Sequence, residues 1–211
     1  MVKEPSTLGA DRLLALSYVP AARRPALAVL WRLDASLADI AVGAREPMLA
    51  RIKLAWWRDT LVALDAAPPP GEPLLQDVAC TLLPAGVSGA ELARLDDGWA
   101  AFLAGDLAGY AATRGATLFG LSARVLGSGD APDTGATWAL VDLARRSPDH
   151  ALTAFAAVSE VEPRGPWPAR LRPLGMLAAL AARDITRGLP LEREGAPGRM
   201  ARMLKLRLTG R

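Results

Sequence analysis

Apolar residues recur at intervals of three and four along most of the chain, which is the spacing of one face of an α-helix. Three stretches show this spacing most clearly: Leu30, Leu33, Leu37 and Ile40; Leu54, Trp57, Leu61 and Leu64; and Leu92, Leu95, Trp99 and Phe102. The β-branched residues do not cluster, and the apolar content is mostly Ala and Leu, which favour helices. The pattern predicts an all-α protein.

Prolines and glycines divide this pattern into segments. A short helix over residues 10–18 ends before Pro20, and loops follow at "VGAREP", "AAPPPGEP", "SGDAPDTG" and "EVEPRGPWP". Ser88 with Glu91 forms a capping box at the start of the longest helical region, and its glycines predict that this region bends or splits. We expect about eight helices in a single domain, residues 1–211, with a core over 8–188 and a basic terminal helix over 197–209.

Composition narrows the chemistry that such a domain can carry. Hydrophobic residues make up 51% and charged residues 22%, which is typical of a soluble globular protein. The N-terminal segment lacks the apolar stretch of a signal peptide, and no window is long and apolar enough to span a membrane, so we expect a cytoplasmic location. One cysteine, Cys80, is predicted to be a small buried residue, and one histidine, His150, a surface residue. Any metal would therefore be a hard ion such as Mg²⁺ held by carboxylates.

Charge is distributed unevenly along the chain. Residues 1–150 carry 14 basic and 17 acidic side chains, whereas residues 151–211 carry 11 basic and 5 acidic ones. The basic terminal helix has two interpretations: a face that contacts an anionic membrane or a partner, or an ordinary terminal helix. Phosphate-binding loops, dinucleotide fingerprints and nucleophile elbows are absent from the sequence, and we expect no nucleic-acid binding.

The stretch "LWRLDASLADIA" contains two aspartates, Asp34 and Asp39, within a helical pattern. Five residues correspond to about 140° around a helix, so the two carboxylates do not share a face. Neither has a carboxylate three or four residues away on this helix, which would be needed for a joint metal ligand. We therefore predict no metal site from this helix alone, and we interpret Asp34 as a solvated residue.

Three longer stretches together resemble the squalene/phytoene synthase family. These are "LLALSYVPAARRPALAVLWRLDASLADIA", "EPMLARIKLAWWRDTL" and "LDDGWAAFLAGDLAGYAATRGATLFGLSARVLG". The order of a Pro–basic turn, an aspartate helix and the Trp56–Trp57–Arg58 element carries the resemblance. It implies an isoprenoid-synthase-like helical bundle around a central cavity, in which two aspartate motifs on facing helices hold Mg²⁺ and bind a prenyl diphosphate.

Carried over to this sequence, the family's aspartate motifs are incomplete. The first motif falls on residues 38–42, where only Asp39 is acidic. The second falls on "DLARRSPDH", where Asp142 stands for an Asn, Arg145 matches an Arg and Arg146 replaces an Asp, with Asp149 near the last acidic position. A competing placement on "LAARDIT" uses Arg183 and Asp184.

The resemblance implies roles for six residues. Asp39, Asp142 and Asp149 are the candidate catalytic residues, and Arg58, Tyr110 and Arg145 are the candidate substrate-binding residues. Alternative interpretations remain for several positions near the expected cavity. Asp97, Asp106 and Tyr110 either line it or lie on the surface, and Arg145 and Arg146 either pair with a diphosphate or Asp142 or form a solvated helix end.

The loss of motif carboxylates implies a non-catalytic member without a cofactor. It would resemble the branch that contains a mitochondrial assembly factor for respiratory complex I, and would bind a protein partner or a prenyl or other lipid-like ligand. Such a protein would be cytoplasmic or peripheral to the inner membrane, with the C-terminal helix as the contact. The alternative is an Mg²⁺-dependent prenyl-diphosphate condensing transferase, and a third is a plain helical interaction domain.

Overall fold

The computed structural model describes residues 8–129, 133–158 and 166–211, and within these ranges the chain forms helices and no strands. The predicted loops around 128–135 and 160–168 lie partly outside the described residues, as does the segment 1–7. The α-helices are α1 (Ala10–Ser17), α2 (Arg24–Val42), α3 (Pro47–Ala63), α4 (Pro73–Thr81), α5 (Gly89–Ala93), α6 (Leu95–Leu103), α7 (Leu107–Val125), α8 (Gly135–Arg146), α9 (Ala151–Ala156), α10 (Arg172–Arg187) and α11 (Pro197–Thr209). The prediction of an all-α protein is confirmed.

The longest predicted helical region splits into α5, α6 and α7. The capping box of Ser88 and Glu91 opens α5, as predicted. Gly105 has a φ of 81°, a left-handed conformation that glycine adopts without strain, and it ends the turn after α6. The carboxylate of Asp106 then accepts a hydrogen bond from the backbone N–H of Gly109 and caps α7. Asp106 is therefore an exposed capping residue.

Helix α2 occupies the middle of the bundle. It contacts α1, α3, α4, α6 and α7, and its leucines and Trp31 belong to one continuous hydrophobic core. Helix α7 packs against α6 on one side and α8 on the other, and α10 joins α8 to α11. Helices α2, α7 and α8 are thereby brought together in the interior.

Two predictions about single side chains have different outcomes. Trp57 is 9% exposed, which confirms its place in the apolar stripe with Leu54 and Leu61, whereas the adjacent Trp56 is 48% exposed. The prediction that Cys80 is buried is wrong, because it lies on the exposed side of α4, opposite the buried Leu74, Leu75 and Val78. In the described part of the chain, no helix is long and apolar enough to cross a membrane.

Helices α7 and α8 touch through two glycines. A Cβ atom added to Gly115 would lie 2.2 Å from the backbone carbonyl carbon of Gly135, and one added to Gly135 would lie 2.2 Å from the backbone oxygen of Gly115. A larger residue at either position would have to push the two helices apart. This contact therefore sets the spacing between α7 and α8 beside the interior site described below.

We predict that Gly115→Ala lowers the free energy of unfolding by about 1–3 kcal/mol, because the added methyl overpacks the contact between α7 and α8. Gly120→Ala is the matched control, since it lies on the same helix with open space around it. We expect this control to stabilise the protein by up to about 1 kcal/mol, as alanine favours a helix over glycine. Chemical denaturation measures both, and equal effects of the two substitutions would contradict the close contact.

Candidate functional site

A buried ion pair joins α2 to α7. The carboxylate of Asp34 is fully buried and accepts two hydrogen bonds from Arg114, at 2.8 Å to Nε and 2.8 Å to Nη2. Arg114 is also fully buried. The prediction that Asp34 is a solvated residue is wrong, because Asp34 lies with Leu30, Leu37 and Ala41 on the inward face of α2.

Asp142 on α8 extends this pair. Its Oδ2 accepts hydrogen bonds from Arg114 Nη2 at 2.7 Å and from Arg146 Nε at 2.8 Å. Arg146 also approaches Asp39 on α2, with 3.8 Å between Nη1 and Oδ1. The structure therefore brings together two of the three candidate catalytic residues, Asp39 and Asp142, with an arginine between them.

Arg12 on α1 completes the cluster. Its Nη2 donates to Asp34 Oδ2 at 2.9 Å and to Asp142 Oδ1 at 3.3 Å, and its Nη1 donates to the backbone oxygen of Trp31 at 3.2 Å. We call Arg12, Asp34, Asp39, Arg114, Asp142 and Arg146 the central ion-pair network. Its three arginines and three aspartates sum to no net charge.

Aromatic side chains surround Arg114. Its guanidinium carbon lies 4.5 Å from the ring centre of Trp99 and 4.9 Å from that of Trp138. Nη1 donates to the hydroxyl oxygen of Tyr110 at 2.6 Å, and that hydroxyl donates to the backbone oxygen of Ala139 at 3.2 Å. Tyr110, a candidate substrate-binding residue, is fully buried and instead supports the arginine.

The arginines determine the charge state of the buried carboxylates. Burial alone would raise the pKa of Asp34, but the nearby charges of Arg114 and Arg12 outweigh burial and hold it below its ordinary value. Burial opposes ionisation of Asp142 in the same way, yet Arg146, Arg114 and Arg12 hold its pKa well below the ordinary value. Both aspartates are therefore ionised at neutral pH.

These carboxylates do not fit a Mg²⁺ site. Asp34 and Asp142 each accept three hydrogen bonds from arginine guanidinium groups, so a metal ion would have to displace arginines from both. Among the described residues, no three His, Cys, Asp or Glu side chains are grouped so as to hold a metal ion. The site presents no surplus of negative charge to a cation.

A second cluster of ion pairs, the α11 anchor, consists of Asp11, Arg145, Asp184 and Arg199. Arg199 on α11 donates to Asp11 Oδ2 at 2.7 Å and to Asp184 Oδ1, and the second oxygen of Asp184 accepts from Arg145 Nη2 at 2.6 Å. The alternative that Arg145 and Arg146 form a solvated helix end is therefore wrong. Arg145 is paired in the α11 anchor and Arg146 in the central ion-pair network. The two candidate segments for the second aspartate motif, "DLARRSPDH" and "LAARDIT", therefore meet in this anchor, because Arg145 belongs to the first and Asp184 to the second.

The cavity between the two clusters is small. It is lined by α1, α8, α10 and α11 side chains that include Arg12, Asp142, Arg145 and Arg199, and its volume is about 30 Å³. This space holds one or two water molecules, whereas a pocket for a small organic ligand usually has about 300–1,000 Å³.

The other candidate residues lie outside these clusters. Arg58 is half exposed on α3, where it pairs with Asp59 at 3.4 Å and with Asp96 on α6 at 3.6 Å. Asp149 is exposed on the 3₁₀ turn after α8, and Asp97 is exposed on α6. The ion pairs of Arg58 are therefore with residues of α3 and α6 that do not belong to the central ion-pair network.

Arg12 and Arg114 are residues of the candidate site that the sequence motifs do not reveal, because those motifs consist mainly of carboxylates. A signal for Arg114 does exist, since it lies between Tyr110 and Leu118 at spacings of four on the inward face of α7. A charged residue at such a position requires a buried partner of opposite charge. The spacing alone does not identify that partner, which is 80 residues away in the sequence.

A comparison with protein-family models finds one match. The model of the squalene/phytoene synthase family matches residues 8–155, which run from just before α1 into α9 and include all of the central ion-pair network. No curated protein and no solved structure matches the chain.

We predict that Arg114→Met destabilises the protein by about 3–5 kcal/mol, because the carboxylates of Asp34 and Asp142 lose one of the two arginines that contact both of them. Arg124→Met on the same helix is the control. Arg124 is half exposed and pairs with Glu91 at the surface, so its loss should cost about 1 kcal/mol or less. Denaturant unfolding measures the difference, and similar losses for both variants would contradict the importance of the buried pair.

The lowered pKa values of Asp34 and Asp142 predict a loss of stability in acid. Both groups are charged in the folded and unfolded chain above about pH 4, the ordinary range of an aspartate. Below it, the unfolded chain binds protons before the folded chain does, so the free energy of unfolding falls as pH falls towards the folded pKa values.

Asp34→Asn should lower the free energy of unfolding at neutral pH and reduce this acid dependence, because one of the two carboxylates with a lowered pKa is removed. Asp149→Asn, which removes an exposed carboxylate outside the network, is the control. Unfolding curves recorded from pH 7 down to about pH 2 test this. An Asp34→Asn curve parallel to that of the wild type would show that Asp34 does not titrate as inferred.

Proposed function

We propose, from the premise that this chain belongs to the squalene/phytoene synthase family, that it is a non-catalytic member which acts through binding. The observation that carries this proposal is the central ion-pair network. In this network, the motif-position carboxylates Asp39 and Asp142 face arginines of the same chain.

Electrostatics supports this proposal. A site for Mg²⁺ and a diphosphate needs uncompensated carboxylates to attract the cations that then bind the phosphates. In this chain Arg146 contacts both Asp39 and Asp142, and Arg12 and Arg114 contact Asp142 from the other sides. A cation placed between these carboxylates would meet like charge at contact distance, which is strongly unfavourable in a buried site.

The space beside the carboxylates also supports the proposal. The indole rings of Trp99 and Trp138 lie against Arg114, and the neighbouring cavity of about 30 Å³ is far too small for an isoprenoid chain. We therefore assign binding to the outside of the bundle.

Exposed apolar side chains concentrate on two helices. Helix α3 carries Met48, Leu49, Ile52, Trp56 and Val62, and helix α11 carries Met200, Leu204 and Leu208. Contiguous exposed apolar residues of this kind commonly mark contact surfaces for other molecules. These two faces are the candidates for binding.

An assay for prenyl condensation tests the proposal. The purified protein is incubated with Mg²⁺, NADPH and either farnesyl or geranylgeranyl diphosphate, and both pyrophosphate release and extracted hydrocarbon products are measured. NADPH supplies the hydride that squalene formation requires. We expect no signal above a protein-free blank, while an active squalene or phytoene synthase assayed in parallel gives both. Release of pyrophosphate at a rate comparable with that enzyme would instead establish the Mg²⁺-dependent transferase.

A further inference from the structure

Helix α11 has two different faces. Arg199, Met203 and Leu206 are buried against the rest of the protein. Met200, Leu204 and Leu208 are 46%, 48% and 70% exposed. Because they follow one another at spacings of four, these three side chains form one stripe along the outer side of the helix.

The helix is firmly attached to the body of the protein. Arg199 reaches Asp11 on α1 and Asp184 on α10 through the α11 anchor. At the other end, Arg172 donates to the backbone oxygen of Arg207 at 2.7 Å, and the backbone N–H of Trp167 donates to the backbone oxygen of Gly210 at 2.8 Å. The exposed stripe therefore belongs to a fixed surface and is presented without a cost of folding the helix.

The charged side chains of α11 itself and of the residues next to it in sequence have one sign. Residues 195–211 contain no Asp or Glu, and four cations other than the buried Arg199 lie among them: Arg202, Lys205, Arg207 and Arg211. At about 100° per residue, Arg207 lies beside Met200 on one edge of the stripe and Lys205 lies beyond Leu208 on the other. Long basic side chains at the edges of an apolar stripe extend towards anionic headgroups while the stripe enters the lipid interface.

The apolar face of α3 does not have this charge pattern. It exposes Met48, Ile52 and Trp56, and Asp59, three residues after Trp56, lies on the same face. Exposed basic residues also lie on this helix: Arg51, Lys53 and Arg58. Helix α3 therefore presents both signs of charge, with a carboxylate within its apolar face, whereas α11 carries only cations, and an anionic surface favours α11.

We propose that the protein rests on an anionic lipid bilayer through α11, with Met200, Leu204 and Leu208 in the interface and the neighbouring Arg and Lys side chains at the lipid headgroups. This contact is peripheral and involves only the apolar stripe on the outer side of α11. It goes beyond the proposed function, because it does not depend on whether the protein is catalytic.

Vesicle sedimentation tests the proposal. The full chain is mixed with vesicles of phosphatidylcholine alone or of phosphatidylcholine with phosphatidylglycerol. We expect it to sediment with the anionic vesicles, to remain in solution with the neutral ones, and to be released by high salt, which screens the attraction. Equal binding to both vesicle types would overturn the proposal. No binding to the anionic vesicles would also overturn it, and a protein partner would then be the molecule that covers this face of α11.

Two pairs of substitutions identify the face. Leu204→Ser with Leu208→Ser should weaken binding to the anionic vesicles by roughly tenfold or more, since both side chains leave the interface. Met48→Ser with Ile52→Ser removes two similarly exposed apolar side chains from α3 and should bind as the wild type does.

A charge variant separates the electrostatic part of the contact. Lys205→Glu should weaken binding to anionic vesicles without a change in thermal stability, because the side chain is exposed. Thermal unfolding of every variant shows that the fold is kept. Loss of binding in the α3 pair with retention in the α11 pair would assign the contact to α3 and refute the proposal.

Discussion

The guanidinium group of Arg114 lies where water does not reach it, so its charge depends on the protein for compensation. Asp34 and Asp142 provide that compensation from two different helices, and Tyr110 and two indole rings surround the remaining sides. A buried charge that loses its partners destabilises a protein by about 3–5 kcal/mol, because no water is available to solvate it. Helices α2, α7 and α8 must therefore keep their relative positions, and the close contact of Gly115 with Gly135 makes the required spacing attainable.

Helix α1 links the two ion-pair clusters. Asp11 joins the α11 anchor, and the next residue, Arg12, joins the central network. Helix α8 links them in the same way, with Asp142 and Arg146 on one side and Arg145 on the other. The region beyond the match to the family model is thus held to the matched region by charged contacts as well as by packing. The orientation of α11, and with it the exposed stripe, follows from the same set of interactions.

Much of the fold could be predicted from the sequence because helix spacing and helix ends are local properties. The split of the long region at Gly105 and Asp106 and the different environments of Trp56 and Trp57 follow from such signals. The site could not be predicted to the same extent. The neighbours of Asp34 on its own helix predict a solvated residue. Its carboxylate is instead buried against Arg114 and Arg12, which come from distant parts of the chain. The family resemblance predicts that Asp39 and Asp142 lie near each other, and a pairing of Arg146 with Asp142 is one of the alternatives that the sequence offers, but the approach of Arg146 to Asp39 required the structure.

The neutrality of the central ion-pair network also constrains how this protein can change over generations. Replacing any one arginine by a smaller residue leaves a buried aspartate without part of its compensation, and adding one carboxylate places a new negative charge beside existing ones. Several of these positions would have to change together before the carboxylates could face anything other than arginines of the same chain. The network therefore ties substitutions on α1, α2, α7 and α8 to one another.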